Sequence, residues 1–149
     1  MKKLFSSLCI AATLFSFSAN AKFIGEVETS GLFFKDTIEI HGFKDPTLKG
    51  IGCHVTFPDK SFSFDNPTDS SISCRQISDT VVGNYTKHES DIFSKSKNLF
   101  FKTMRVDRFY DSETNSLIYI SYVRKVKGEN AAHSISSVPL FSANLKLTK

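Results

Sequence analysis

The stretch that decides the fold is Leu99-Phe-Phe-Lys-Thr-Met-Arg-Val-Asp-Arg-Phe-Tyr110, then Asp111-Ser-Glu-Thr-Asn-Ser116, then Leu117-Ile-Tyr-Ile-Ser-Tyr-Val-Arg-Lys-Val126. Two long runs rich in β-branched and aromatic residues flank six residues with turn preferences, which predicts a hairpin with a longer loop. In the first arm Phe100, Met104, Val106 and Tyr110 share one parity, and Lys102 and Arg108 share it with them. In the second arm Ile118, Ile120 and Tyr122 alternate with Tyr119, Ser121 and Val123, so both faces are partly apolar and the arm is predicted to be central in its sheet.

The same period of two recurs upstream. Ile51, Cys53, Val55 and Phe57 alternate with Gly52, His54 and Thr56, which points Cys53 inward and His54 to solvent. Ile38 and Ile40 alternate with Thr37, Glu39 and His41, Phe62 and Phe64 with Ser61 and Ser63, and Ile72 shares a face with Cys74. Pro139 marks Ile135 to Leu140 as an edge strand. Asp79 to Ser96 holds neither helical nor strand period and is read as loop followed by a short strand at Asp91 to Lys95. Asn84-Tyr85-Thr86 fits a glycosylation sequon, a weak signal by itself. The tail from Asn144 is expected to fray. The fold class is therefore mainly β: one domain, an antiparallel sheet or partly closed barrel.

The 149 residues are 40% hydrophobic, 23% charged and 13% aromatic, which excludes a disordered chain, a collagen-like repeat and a large multidomain enzyme. Lys2 and Lys3 precede an apolar run from Leu4 to Phe17, and Ala19-Asn20-Ala21 offers small residues where a signal peptidase reads them. Residues 1–21 are thus predicted to be a signal peptide, and 22–149 the β-rich domain. The run is broken by Ser6, Ser7 and Thr13 and falls short of the roughly 18 apolar residues that mark a span, so no transmembrane span is expected. Cys9 leaves with the leader. The remainder, 149 less 21 or 128 residues, carries 17 bases against 15 acids, a balance that gives no electrostatic case for nucleic acid.

Only Cys53 and Cys74 remain in that domain. An even pair in an oxidising compartment predicts a disulfide between two short strands, closing a ring of 74 minus 53 plus 1, or 22 residues. A redox couple or a metal site are the alternatives, against which stand the lack of Cys-x-x-Cys and of a nearby His pair.

Ile24-Gly25-Glu26-Val27, Phe43-Lys44-Asp45-Pro46 leading to Cys53, Ile72-Ser73-Cys74-Arg75-Gln76, Phe101-Lys102 leading to Val106, Arg108-Phe109-Tyr110-Asp111, Asn115, Leu117, Tyr119, Tyr122 and Ser136 to Pro139 occur in this order. Together they resemble the CreA family of bacterial exported proteins, from about Ile24 to Leu140. The resemblance implies a periplasmic location and a bridge between Cys53 and Cys74, and it brings no activity, ligand or catalytic residue with it. The segment Thr56 to Asn66 lacks the glycine-rich stretch associated with the family.

Enzyme signatures are sparse. The chain has no Gly-x-Ser-x-Gly elbow, glycine-rich phosphate loop or His-Glu-x-x-His pair, and no metal or cofactor is expected. His41, His54, His88 and His133 are scattered singly, which suits surface or hydrogen-bonded roles. Asp65 and Asp69 are read as turn residues rather than as an acid and base pair. Arg108 stands out because its parity places a guanidinium among Met104, Val106 and Tyr110, where an unpaired charge is costly. Asp111, Asp45 and Asp36 are its candidate partners. Two roles fit: an internal ion pair that fixes the hairpin, or an anion clamp for a ligand carboxylate or phosphate. The twelve phenylalanines beyond residue 21 are assigned mainly to the core, with Phe33, Phe34, Phe62 and Phe64 near loops. The expectation is an exported periplasmic protein that binds a small ligand or an envelope protein without catalysis. The competing expectation is an enzyme acting on a small anionic metabolite or envelope component through Arg108 with Asp45 or Asp111.

Overall fold

The computed structural model describes residues 21–30, 35–59, 70–96, 103–124 and 132–147, and within them the chain is strand without helix. In chain order the strands are β1 (Lys22–Ser30), β2 (Asp36–Lys44), β3 (Leu48–Lys49), β4 (Ile51–Asp59), β5 (Ser71–Gln76) and β6 (Val81–Tyr85). They continue as β7 (His88–Ser96), β8 (Thr103–Asp111), β9 (Ser116–Arg124), β10 (His133–Pro139) and β11 (Ala143–Leu147). Two antiparallel four-stranded sheets run β1-β2-β4-β5 and β10-β9-β8-β7, and a small mixed sheet runs β11-β6-β3. No described helix is long and apolar enough to cross a membrane.

The predicted hairpin is β8 and β9, in register from Thr103 opposite Arg124 to Asp111 opposite Ser116. Asn115 closes its turn at φ 48°, a left-handed conformation that asparagine tolerates. β9 lies between β8 and β10, as its two-sided apolar pattern requires, and β10 is an edge strand ending at Pro139. The inner face of this sheet, Phe93, Met104, Val106, Leu117, Tyr119, Val123 and Val138, packs on Phe43, Cys53, Val55, Phe57, Ile72 and Cys74 of the first sheet. Phe43 stacks on Phe93 with ring centroids 4.6 Å apart. Leu48 and Val81 of the third sheet, with Ile51, Ile92 and Leu140, complete this core.

Cys53 and Cys74 face each other directly across β4 and β5 and are joined, with their Cα atoms 4.1 Å apart. At 1% and 8% exposure the bridge is interior, which fits a staple rather than a redox couple.

The two large sheets do not close into a barrel. Their edges meet at a seam made by side chains, in which Cys74 N–H donates to Ser136 Oγ at 2.8 Å and Ile72 N–H to Ser134 Oγ at 3.4 Å. Hydroxyls on β10 thus accept from the edge amides of β5 where a neighbouring strand would otherwise supply carbonyls.

Four expectations are corrected. Asp79 to Ser96 holds two strands, β6 and β7. A bulge between Glu89 and Phe93, with Asp91 at φ 54°, breaks the period of β7, and β6 pairs with residues some sixty positions away. The tail does not fray at Asn144, because β11 runs parallel to β6 through Leu147. β2 buries His41 and Phe43 and leaves Ile38 exposed, the reverse of the parity expected for Ile38 and Ile40. Of the six described phenylalanines beyond residue 21, Phe43, Phe57 and Phe93 are buried, while Phe23, Phe109 and Phe141 are exposed. The leader, Phe33, Phe34, the Phe62 and Phe64 alternation, Asp65, Asp69, Phe100 and Lys102 lie outside the described residues.

Candidate functional site

Strand parity carries Arg108 inward beside Met104 and Val106, and its side chain is 0% exposed. Nη1 donates to both oxygens of Asp45, at 2.7 and 2.6 Å, and to Thr47 Oγ1 at 2.8 Å. Asp45 follows β2 and organises the turn into β3, its Oδ1 accepting from the backbone N–H of Thr47 and of Leu48 at 2.9 Å each. Tyr119 on β9 donates its hydroxyl to Asp45 Oδ2 at 2.8 Å. Burial first, then the adjacent Asp45 carboxylate, pushes the Tyr119 phenol far above its ordinary range. The other edge of the guanidinium, Nε and Nη2, makes no hydrogen bond among the described residues, and Glu89 Oε2 lies 4.0 Å from Nη2. At 0% exposure the Arg108 side chain presents no surface to solvent in this structure.

Asp111 does not join this network. Its carboxylate closes the hairpin turn, accepting from Thr114 Oγ1 at 2.6 Å and from Glu113 N–H at 2.9 Å, and these bonds hold its pKa below the usual carboxylate value. Asp36 opens β2. Among the three candidate partners the structure therefore brings only Asp45 to Arg108.

Two further polar clusters have no counterpart among the sequence-derived candidates. On the outer face of β8, Asp107 Oδ1 accepts from Asp91 N–H at 2.9 Å and from Tyr122 OH at 3.2 Å, while His88 Nε2 lies 3.0 Å from Oδ2. Arg105 Nη1 donates to Asp91 Oδ2 at 2.5 Å, and the His88 ring stacks on Phe109 with centroids 4.2 Å apart. Burial, then the charge of Asp107, raises the Tyr122 phenol. Asp91 reaches this position through its left-handed bulge, a device that re-aims side chains at functional sites. One signal was present in the sequence: Arg105 and Asp107 put charge on the second face of a strand whose first face already holds Arg108. Between the sheets, His41 Nε2 lies 2.7 Å from Glu39 Oε2 and 2.8 Å from Lys95 Nζ, and its ring stacks on Phe57. His41 is the hydrogen-bonded kind of lone histidine. No group of three or more potential metal ligands occurs among the described residues.

Where the β5–β10 seam ends, an open groove of about 470 Å³ forms, lined by Cys74, Arg75, Asp79, Val138, Pro139 and Phe141 among others. Gln76 Nε2 holds its floor by donating to the carbonyls of Ser78 and Asp79, at 2.7 and 3.1 Å. Phe141 is 92% exposed on a backbone pinned at both sides. Leu140 N–H donates to Asn115 O at 2.9 Å, Asn115 Nδ2 returns a bond to Leu140 O at 2.7 Å, and Val81 N–H donates to Ser142 O at 3.1 Å. Among the described residues Arg75 and Asp79 form no ion pair, with each other or with a third group.

The class so defined is a disulfide-stapled β protein of two large sheets and a small third, with a buried Arg108–Asp45 pair and a groove where the two large sheets join. Residues 24–143 match the family model described as CreA protein, and the chain belongs to the CreA family. Protein CreA of Escherichia coli strain K12 is 32% identical over 139 residues, spanning 82% of this chain and 85% of that protein, and Protein CreA of Escherichia coli O157:H7 matches to the same extent. No solved structure matches the chain.

Proposed function

We propose that this CreA-family chain is exported to the periplasm, matures by loss of residues 1–21, and works there as a non-enzymatic binding protein for a small ligand. The groove beside the disulfide carries this reading. It offers apolar surface, an exposed aromatic ring on a fixed backbone and charged side chains that form no ion pair among the described residues, at a volume usual for small-molecule sites. The leader pattern of Lys2, Lys3 and Ala19-Asn20-Ala21 supports export, as does the interior bridge between Cys53 and Cys74. Native mass spectrometry of protein taken from the periplasm of its host tests the reading. The expected species is residues 22–149, oxidised, with a small molecule retained. A full-length mass, or two free thiols in the folded protein, overturns export, and a bare protein with no retained species counts against binding.

A second reading has its own observation. His88 oriented by buried Asp107, beside the left-handed Asp91, is an arrangement suited to proton transfer, so an enzyme acting on a small anionic metabolite or envelope component would work from this face rather than from buried Arg108. Consumption of a periplasmic metabolite by the protein, abolished in His88→Ala, is the result that favours it.

A further inference from the structure

We infer that the groove at the end of the β5–β10 seam takes a zwitterion with an apolar side chain, the chemistry of an aliphatic or aromatic α-amino acid. This rests on the binding reading above and narrows it. Arg75 and Asp79 lie four residues apart, both line the groove, and both are exposed. They form no ion pair among the described residues, and the backbone between them is clasped: Ile77 N–H donates to Gly50 O at 2.8 Å, and Gln76 Nε2 holds the Ser78 and Asp79 carbonyls.

A groove with a cation and an anion both unspent discriminates among ligand classes. A plain anion suits the planar fork of Arg75 but meets the like charge of Asp79, and a plain cation meets the converse. A molecule carrying carboxylate and ammonium on one carbon answers both, the carboxylate at Arg75 and the ammonium at Asp79. The remaining lining sets Cys74, Val138, Pro139 and Phe141 beside the polar Gln76, Ser78, Ser137 and Ser142. Val138, Pro139 and the exposed ring of Phe141 offer a side chain the contact that an all-polar zwitterion such as glycine cannot use. The rigidity of this wall lowers the ordering cost of binding, since Leu140 and Ser142 are fixed on either side of Phe141.

Titration calorimetry of the oxidised protein with L-phenylalanine, N-acetyl-L-phenylalanine and L-phenylalaninamide tests the inference. Phenylalanine is expected to bind, and each derivative, lacking one of the two charges, at least about tenfold more weakly, the factor that a lost charge-assisted hydrogen bond commonly costs. In Arg75→Ala the amide is expected to bind as well as the amino acid, and in Asp79→Asn the acetyl derivative is expected to do so. Both side chains are exposed, so the variants fold, which their urea midpoints verify. N-acetyl-L-phenylalanine binding as tightly as phenylalanine, or no binding of phenylalanine to the unaltered protein, overturns the inference. A molecule retained from the periplasm while phenylalanine fails to bind overturns the ligand class alone. A bare protein that also ignores phenylalanine overturns the binding reading with it.

Discussion

Arg108 of β8 and Asp45 of the turn after β2 stand 63 residues apart in the chain and meet in the core, Nη1 lying 2.7 and 2.6 Å from the two carboxylate oxygens. The contact welds the second sheet to the turn that starts the third, and Asp45 also gathers Thr47 and Leu48 N–H groups and the Tyr119 hydroxyl. Arg108→Ala would leave that carboxylate buried without its counter-charge. Removing one member of such a pair costs about 3–5 kcal/mol, a large part of the roughly 5–15 kcal/mol that holds a domain of this size. Urea unfolding is expected to show that loss, and the Arg108→Met, Asp45→Asn double variant is expected to lose less than the two single losses added together. A cost below about 1 kcal/mol for Arg108→Ala contradicts an internal structural role.

The raised Tyr119 phenol gives the network an alkaline limit. In the unfolded chain this group ionises near its ordinary value of 10.0, whereas in the fold it stays protonated. Above that pH the unfolded state therefore binds fewer protons, and stability falls with rising pH by at most about 1.4 kcal/mol per unit for this group. Its contribution is complete at all lower pH. Tyr119→Phe is expected to flatten the slope above about pH 10, with Tyr122 supplying a weaker remainder of the same sign. At neutral pH the variant should cost about 1.5–3 kcal/mol for the lost bond to a charged acceptor. An unchanged alkaline slope would exclude Tyr119 as its source.

The bridge between Cys53 and Cys74 should behave as an interior staple. Replacing both cysteines by alanine removes a constraint of 22 residues on the unfolded chain, worth about 3 kcal/mol. Because both sulfurs are buried, thiol labelling under reducing conditions is expected to follow global unfolding and to accelerate with urea. Rapid reduction without denaturant would instead mark an accessible redox pair.

How much of this was legible beforehand depended on whether a residue's role is local. The β8–β9 hairpin, the inward Cys53 and the edge position of β10 were readable because period-two patterning and turn chemistry act within a few residues. Arg108 was readable as buried for the same reason, but choosing Asp45 over Asp111 was not, since the choice depends on how a turn 63 residues away docks. β2 misled because its inner face carries half-buried Glu39 and buried His41, which are held there by pairing with Lys95 from the opposite sheet rather than by hydrophobicity. β7 was obscured by the bulge at Asp91. The groove was invisible because β5, the turn after it and the chain following β10 come together only at the seam.

That seam supplies the last prediction. Ser136 Oγ accepts from Cys74 N–H at 2.8 Å, whereas Ser134 Oγ accepts from Ile72 N–H at 3.4 Å, near the limit of a useful bond. Ser136→Ala leaves a partly buried amide without an acceptor and is expected to cost about 1–3 kcal/mol, and Ser134→Ala clearly less. Hydrogen exchange locates the effect. In Ser136→Ala the Cys74 amide should lose protection well beyond the global change, because the edge of β5 opens there first. Ser136→Thr keeps the acceptor and should restore protection. If Cys74 exchange slows or stays level in Ser136→Ala, the two sheets are joined by packing alone and the hydroxyls are incidental.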